Sequence, residues 1–466
     1  MKILLVKPVT PPNFVINVVP PIGLGYLATA LRQAGFKKIK ILDCVKEGLT
    51  LADFKREVKK FKPDLVGWQI FSHDLESLKE SLAIVKASNP KTITLAGGPH
   101  PSGFPEEVLA DFSQLDYAFK GESEIGLPLL VKKIEGKKID LTKIPGLIWR
   151  RGKKIVVNQQ VFFCDLDKLG MPAWDLLKPQ DYPEAPQGVI FKNLPIAPIM
   201  ATRGCPFQCT FCAGKTVTGL KIRSRSVTNL LAEIELLYRD YGIREIHFLD
   251  DNFTFNKQYV KDFCRQLLQK DFKISWCCPN GVRLDTLDLE VLTLMKKAGC
   301  YYISVGIESG SDRILKLMRK SLKVKDIRCQ IKLIKRAGLT VNGFFILGYP
   351  GETKKEMEKT IKFSQNLGLT RAAFYNFLPL PGTEAYRQLI QTGEISADGF
   401  DFSRTFQSET PYSPKGVSKS ELKKLQEKAY WQFYLRPAVL FALLKEIRSY
   451  NQIKYLFRRA RTYLKF

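Results

Sequence analysis

Through about residue 135 the chain alternates short, almost unbroken apolar runs with longer stretches of helical period. KILLVKP, KIKILD, DLVGWQIF, TITLAGG and LDYAFKG have the length and the bounding turn residues of strands buried on both faces. IGLGYLATALRQAG, the segment from about Asp53 and the segment after Glu122 read as helices. Repeated strand–helix units of this kind predict a doubly wound parallel sheet over residues 1–135. Such sheets bind ligands beyond the carboxyl ends of their strands. The special residues fall there: Pro8, Pro20, Pro21, Ile22 and Gly23, Asp43, Gly97 and Gly98 with Pro99 and His100, and Gly121 with Glu122.

Residues 136–190 carry scattered prolines and aromatics around Trp149 and Trp174, and read as an irregular connector. From 191 to 395 strand–helix repeats resume, and each strand now ends in polar or glycine residues. IAPIMAT runs into a cysteine loop, REIHFLDDNFT ends in Asp250, Asp251 and Asn252, and KISWCCPNGVRLD ends in Gly281 and Arg283. YYISVGIESGS ends in Glu308 and Ser309, VNGFFILGYPGET in Gly348 to Glu352, and AAFYNFLPLPGTEAY in Pro379 to Thr383. These units predict a partial, TIM-like (β/α)6 barrel with its chemistry at the strand carboxyl ends, so the fold class is α/β throughout. Residues 396–466 predict two or more helices, with a capping box from Ser418 to Glu421.

With 45% hydrophobic residues over 466 positions, the chain can core two or three domains. No apolar run approaches the ~18 residues of a membrane span. Ten cysteines without a signal peptide point to a reducing cytoplasm. A net charge of +27 either belongs to a lysine-rich solvated surface or favours an anionic partner: a nucleic acid, a phospholipid surface or a carboxylate-bearing substrate. From Trp431 to Phe466, eight Lys or Arg stand against the single Glu446, interleaved with aromatic residues. That pattern suits an anionic membrane surface, and equally a helical cap docked on the barrel.

The distinctive chemistry lies in RGCPFQCTFCAG, where Cys205, Cys209 and Cys212 form a CxxxCxxC triplet. A cubane iron–sulfur cluster has four irons, each normally held by a thiolate, so three cysteines leave one iron open to a substrate or cofactor. A zinc knuckle needs a fourth Cys or His close by, and the nearest histidine is His247. Three buried structural thiols are a further reading, opposed by the loop-forming Gly204 and Pro206. Cys277 and Cys278, like Cys44, Cys164, Cys264, Cys300 and Cys329, read as small buried hydrophobes, and His247 as a satisfied core residue.

The triplet resembles the cluster loop of the radical S-adenosylmethionine (SAM) superfamily, and the resemblance, closest to the cobalamin-binding branch, covers most of residues 1–395. It implies a 4Fe-4S cluster on Cys205, Cys209 and Cys212, with SAM chelating the open iron and cleaved to methionine and a 5'-deoxyadenosyl radical. It implies that the backbone after Phe211 lies against the adenine and that Gly348, Tyr349 and Pro350 wall it. It places Glu308, with Ser309 beside it, at the ribose, Arg283 at the SAM carboxylate in bidentate fashion, and Asp250, Asp251 and Asn252 at the SAM amino end. In the first domain it implies cobalamin against Pro21, Gly23, Asp43, Gly97, Gly98, Gly121 and Glu122. Many such domains carry an Asp-x-His-x-x-Gly element whose histidine ligates cobalt. Here Asp43 and Gly48 are in register but Val45 stands at the histidine position, so cobalamin is expected with no histidine lower ligand. Neither His73 nor His100 is expected to substitute.

The expected activity is methylation of an unactivated carbon, one SAM supplying the methyl group and a second the radical. The alternative is a radical SAM and cobalamin oxidative cyclase or rearrangement enzyme, similar to the anaerobic magnesium-protoporphyrin ester cyclase. A methylthiotransferase-like RNA modifier fits less well, because its extra amino-terminal cysteine triad is missing. An electron-transfer protein needs no open iron. Expected partners are a small-molecule substrate of lipid, isoprenoid or tetrapyrrole class, a reducing electron donor and an anionic membrane surface. A nucleic acid is not an expected partner, and the expected location is the cytoplasm, peripheral to the membrane.

Overall fold

The structure, a computed structural model, describes all residues except 10–17, 184–190, 397–399, 403–409, 448–449, 451–452 and 454–466. Strands β1 (Ile3–Lys7), β2 (Ile39–Asp43), β3 (Leu65–Gln69), β4 (Ile93–Gly97) and β5 (Tyr117–Phe119) are parallel, in the order β2–β1–β3–β4–β5. Their period-two alternation puts Leu4, Val6, Val66 and Trp68 against one layer of helices and Ile3, Leu5 and Leu65 against the other, all at most 1% exposed. Strand order reverses between β1 and β3, so a ligand crevice opens at their carboxyl ends.

Part of the segment read as an irregular connector is sheet. Strand β6 (Leu147–Arg151) pairs antiparallel with β5, and β7 (Lys154–Val157) pairs antiparallel with β6, through a tight turn in which Gly152 has φ 62°. A positive φ at the first residue of a two-residue turn is what a tight hairpin requires. The first sheet therefore continues to Val157, beyond the boundary expected at residue 135.

The second sheet holds β8 (Ile196–Ile199), β11 (Glu245–Phe248), β12 (Ser275–Val282), β13 (Cys300–Glu308), β14 (Thr340–Leu347) and β15 (Arg371–Asn376), parallel in that order. This is the open (β/α)6 barrel expected. Phe248, Phe253, Phe263 and Trp276 pack between it and the outer helices with ring centroids 4.2 to 5.9 Å apart. Between β8 and β11, strands β9 (Thr202–Arg203) and β10 (Arg223–Ser224) form a separate antiparallel pair that closes the cysteine loop at its base.

Helix Lys419–Tyr434 docks on the barrel; of the basic aromatic stretch that suits a membrane surface or a cap, residues 448–449, 451–452 and 454–466 lie outside the described residues. Helix Lys419–Tyr434 begins at the expected capping box, in which the Glu421 amide donates to Ser418 Oγ at 3.2 Å and the Ser418 amide to Glu421 Oε2 at 3.0 Å. Its side chains satisfy the open edge of β15. The Phe374 amide donates to Tyr430 Oη at 3.2 Å, Gln426 Nε2 donates to the Phe374 carbonyl at 2.8 Å, and Tyr434 Oη donates to the Ala372 carbonyl at 2.8 Å. Exposed strand edges otherwise template unwanted pairing. Among the described residues no helix is long and apolar enough to cross a membrane.

Candidate active site

Arg203 opposite Arg223 pins the base of a loop that carries all three triplet cysteines. The Cys212 amide donates to the Cys209 carbonyl at 3.2 Å and the Gly214 amide to Cys212 Sγ at 3.4 Å, folding the CTFC segment into a tight turn. The Thr210 amide donates to the Met318 carbonyl at 3.1 Å, and Thr210 Oγ1 lies 2.6 Å from Tyr349 Oη, which ties the loop to the segments after β13 and β14. Cys209 is buried, Cys205 partly so, and Cys212 exposed. Burial pushes the Cys205 thiol up, and the neighbouring Asp251 and Cys209 add to that. Three thiols carried on one anchored loop fit a cubane cluster, whose irons would draw the thiolate form.

Several residues expected at SAM are engaged otherwise. Asp250, 2% exposed, accepts from the Ala201 amide at 3.1 Å, the Thr202 amide at 2.5 Å and Thr202 Oγ1 at 2.7 Å, and burial pushes it up to about 7. It fastens the end of β11 to the start of the cysteine loop, so its oxygens are committed. Asp251 is the carboxylate that faces the loop: it accepts from Thr218 Oγ1 at 2.6 Å and lies, with Cys212 Sγ, against Gly214. Asn252 is fully buried, and among the described residues neither of its amide atoms has a partner. Arg283 presents its Nε–Nη2 edge to Asp285 at 2.9 and 2.7 Å and stacks over Phe207 at 3.5 Å. A bidentate grip on a SAM carboxylate is therefore taken, and only Nη1, 3.9 Å from Cys209 Sγ, points at the loop.

Glu308 ends β13 at φ 64°, a left-handed conformation that costs a non-glycine residue about 1–3 kcal/mol and tends to mark functional sites. Its Oε1 accepts from the buried Lys320 Nζ at 2.7 Å. Ser309 turns away: its hydroxyl pairs with Thr360 Oγ1 at 3.1 Å and accepts from the Ser311 amide at 3.2 Å, a turn-fixing role rather than a ligand one. Phe211 packs beside Tyr349 and Phe377. Gly348, at φ 77°, has no room for a side chain, since a Cβ would fall 2.5 Å from Leu422 Cδ2.

Glu352, which the sequence marked only as a strand-end residue, orders this corner. Its Oε2 accepts from the Gly348 amide at 2.7 Å and the Tyr349 amide at 3.2 Å, while Oε1 has no partner. Burial pushes its carboxyl up to about 8. Between the ordinary glutamate range and about pH 8 the unfolded chain sheds this proton while the native state keeps it, so stability falls as pH rises. The slope is at most about 1.4 kcal/mol per pH unit. Glu352→Gln is expected to match the wild type near pH 5 and to exceed it above pH 7. Urea titrations of the cluster-free protein at both pH values check this, and parallel curves would refute it.

At the strand carboxyl ends where cobalamin is expected, Gly97 and Gly98 are partly exposed and Pro21 is buried. A Cβ on Gly97 meets nothing nearer than Ser123 Oγ at 3.9 Å, one on Gly23 nothing nearer than Gln69 Nε2 at 3.6 Å, and Gly98 lies against the Ile70 backbone. This bare floor fits a flat macrocycle. Asp43 is spoken for by the protein: it accepts from the Val45 and Lys46 amides at 3.1 and 3.0 Å, from Lys7 Nζ at 3.2 Å and from Tyr182 Oη at 2.9 Å. Gly121 is covered, because Gln160 crosses it where a Cβ would sit and donates to the Val217 carbonyl at 3.2 Å. Glu122 is not at a ligand face; Arg223 grips it at 2.6 and 2.7 Å across the domain boundary. His100, 2% exposed, lies 3.1 Å from Ser72 Oγ, and burial lowers its pKa to about 4. His73 stacks on Phe71 at 5.5 Å.

Inside the barrel, ligating atoms of Glu245, His247 and Cys277 lie within 4.8 Å of one another. Glu245 Oε1 already accepts from His247 Nε2 at 2.9 Å and Tyr301 Oη at 2.6 Å. Its Oε2 accepts from the Lys192 and Asn193 amides at 2.8 and 2.7 Å and from Ser275 Oγ at 2.9 Å. Both oxygens are saturated, so this is a closed network. Among the described residues His247 is satisfied at Nε2 only, its Nδ1 having no partner there.

Comparison with known proteins bears on the family and the fold. Residues 199–364 match the family model of the radical SAM superfamily, and residues 15–131 that of the B12 binding domain. An uncharacterized methyltransferase of Pyrococcus horikoshii is 34% identical over 449 residues, covering 94% of each chain. The cytidylyl-2-hydroxyethylphosphonate methyltransferase of Streptomyces wedmorensis is 30% identical over 435 residues, covering 83% of this chain and 80% of that one. Among solved structures, the cobalamin-dependent S-adenosylmethionine radical enzyme OxsB, with aqua-cobalamin and S-adenosylmethionine bound, superposes with a TM-score of 0.78 over all of this chain and 71% of its own, at 17% identity, a likeness of fold. The chain belongs to the radical SAM superfamily, in its cobalamin-binding branch, and is an enzyme.

Proposed function

We propose that this enzyme transfers a methyl group to an unactivated carbon of a small molecule, using a 4Fe-4S cluster, SAM and cobalamin. The observation that carries the reading is the juxtaposition of three thiols on one anchored barrel loop with a glycine-floored crevice in a domain joined to that same loop. Relatives named as methyltransferases, at 34% and 30% identity against 26% for the anaerobic magnesium-protoporphyrin IX monomethyl ester cyclase of Rubrivivax gelatinosus, support methyl transfer over cyclisation. When bound, the cluster supplies the electron that cleaves SAM, and the corrin a centre for methyl transfer.

The chain's own residues hold and orient. Cys205, Cys209 and Cys212 are the iron ligands. Asp251, facing the loop, meets the SAM ammonium as a charged acceptor. Glu308, with Lys320 fixing one oxygen, keeps the other for ribose hydroxyls. Phe211, Gly348 and Tyr349 form the adenine wall. Pro21, Gly23, Gly97 and Gly98 would hold the corrin, and the chain would offer it no histidine ligand, given Val45 in the ligand position and the buried, hydrogen-bonded His100.

The deciding experiment is anaerobic reconstitution with iron, sulfide, cobalamin and a low-potential reductant, followed by incubation with methyl-labelled SAM and extracts of small molecules. Cluster and cobalt should load together, and deoxyadenosine should appear with a labelled product heavier than its precursor by one methylene, about 14 mass units plus the mass of the label, as the cofactor chemistry requires. Deoxyadenosine with an unmethylated, ring-closed product would replace this reading with the cyclase. Absence of cobalt would overturn it.

The substrate proposed is a lipid or isoprenoid reached at an anionic membrane. Helix Pro437–Glu446 exposes Leu440, Phe441 and Leu444 at 43%, 61% and 66%, next to Leu435 at 58%, and Lys445 Nζ sits 4.3 Å from the Phe441 ring centre. Most of the basic aromatic tail beyond it lies outside the described residues. Burying one such side chain is worth about 1.5–3 kcal/mol, so Phe441→Asp with Leu444→Asp is expected to weaken sedimentation with anionic vesicles roughly tenfold or more. Unchanged sedimentation, or none in the wild type, refutes membrane docking.

A further inference from the structure

The loop after β5 reaches across the domain boundary with two carboxylates. Glu122 takes the Arg223 fork at 2.6 and 2.7 Å, and Glu124 accepts from Arg203 Nη1 at 2.7 Å, with Arg203 also 3.5 Å from Glu122. All four side chains are 5–7% exposed. Arg203 lies over the Tyr26 ring at 4.8 Å and Arg223 over Phe162 at 4.9 Å. Arg223 donates further to the Phe163 and Thr218 carbonyls at 3.0 and 2.7 Å. These two arginines stand directly opposite each other in the β9–β10 pair at the base of the cysteine loop.

Like charges directly opposite in a strand pair repel, and burying them without partners is far costlier. The pair is tolerable only because the other domain delivers two matching negative charges. Buried ion clusters contribute little net stability compared with apolar packing, and their best-attested use is to fix register. Close backbone contact reinforces this seam: Gly382 lies against Gly103 of the first domain, a Cβ there falling 2.9 Å from the Gly103 Cα.

We propose that Glu122 and Glu124 clamp Arg203 and Arg223 so that the domain interface itself sets where the cysteine loop sits, and with it the separation between the two cofactors. The cofactor part rests on the proposed function; the clamp part does not. The cofactors then keep one spacing through both uses of SAM, with no hinge at this seam, and the residues act by positioning the loop.

Two measurements on Glu122→Gln/Glu124→Gln test it. In protein free of both cofactors, hydrogen exchange at residues 202–205 and 223–225 should be at least tenfold faster than in the wild type, about 1.4 kcal/mol of lost protection. Unchanged exchange overturns the clamp. In reconstituted protein, pulsed dipolar spectroscopy between reduced cluster and cob(II)alamin should give one narrow distance in the wild type and a distribution at least twofold broader in the variant, at equal iron and cobalt content. An equally narrow variant overturns the spacing role, whereas a wild type that loads no cobalt overturns the proposed function and leaves the exchange result to decide the clamp. Arg223→Lys, which keeps the charge but loses the fork, should fall between the two. If the double variant does not fold, Glu124→Gln alone, with the Glu122 fork intact, carries the same outcomes.

Discussion

Changing Cys205, Cys209 or Cys212 to alanine is expected to remove the cluster and, with it, all SAM cleavage. Each supplies one corner of a site with no spare thiol: the other seven of the ten cysteines lie outside the loop, five of them buried and Cys164 and Cys329 exposed. Loss of an outer partner of a metal ligand typically costs 10–100-fold, so loss of a ligand is expected to exceed about a hundredfold in deoxyadenosine formation. Iron should fall from roughly four per chain toward zero. The fold should survive, because the loop is also held by the β9–β10 pair and by Thr210 on Tyr349. Iron and sulfide analysis with a deoxyadenosine assay checks this on all three variants. A variant that keeps both cluster and cleavage would remove that cysteine from the ligand set.

The largest expected effect on stability is at Arg225. Its guanidinium pairs with Glu233, both side chains at most 2% exposed, and also donates to Asn229 Oδ1 at 2.7 Å and to the Met200 carbonyl at 3.3 Å. Trp174 Nε1, from the segment between the domains, donates to Glu233 Oε1 at 2.8 Å. Arg225→Met leaves a carboxylate in the interior with only the indole as partner, which typically costs about 3–5 kcal/mol. Replacing both partners, Arg225→Met with Glu233→Leu, should recover most of that, since apolar residues of similar volume often serve as well. Urea unfolding followed by tryptophan fluorescence reads both. A single variant as stable as the wild type would mean the pair is not buried as described.

What the sequence showed and what it hid divide along a physical line. Strands such as KILLVKP were legible because a strand buried on both faces must be apolar at every position, and the cysteine triplet because its spacing is the chemistry itself. The β6–β7 hairpin was missed, although Gly152 between LIWRR and KIVV carried the turn signal, because Arg150 and Arg151 break the apolar pattern. Arg150, half-buried, is held by bonds to the carbonyls of Leu109, Phe112 and Leu115, which no local pattern announces. The polar strand-end residues are legible in the sequence as a set, but the protein partners of each one are not. Asp250, Ser309, Asp43 and Glu122 all sit at the rims where ligands bind, yet each is consumed by a protein partner distant in sequence. Which of two neighbouring acids faces a ligand, as with Asp250 and Asp251, is settled by backbone direction over a few residues.

The hydroxyls and amide that helix Lys419–Tyr434 lends to β15 bear on any attempt to isolate the catalytic unit. A fragment cut near residue 395 keeps every strand and every cysteine of the barrel, yet it strips the amides of Ala372 and Phe374 of their covers. Molecules trimmed in that way acquire a bare flank on which further chains can add, so a minimal version has to retain the sequence through Tyr434.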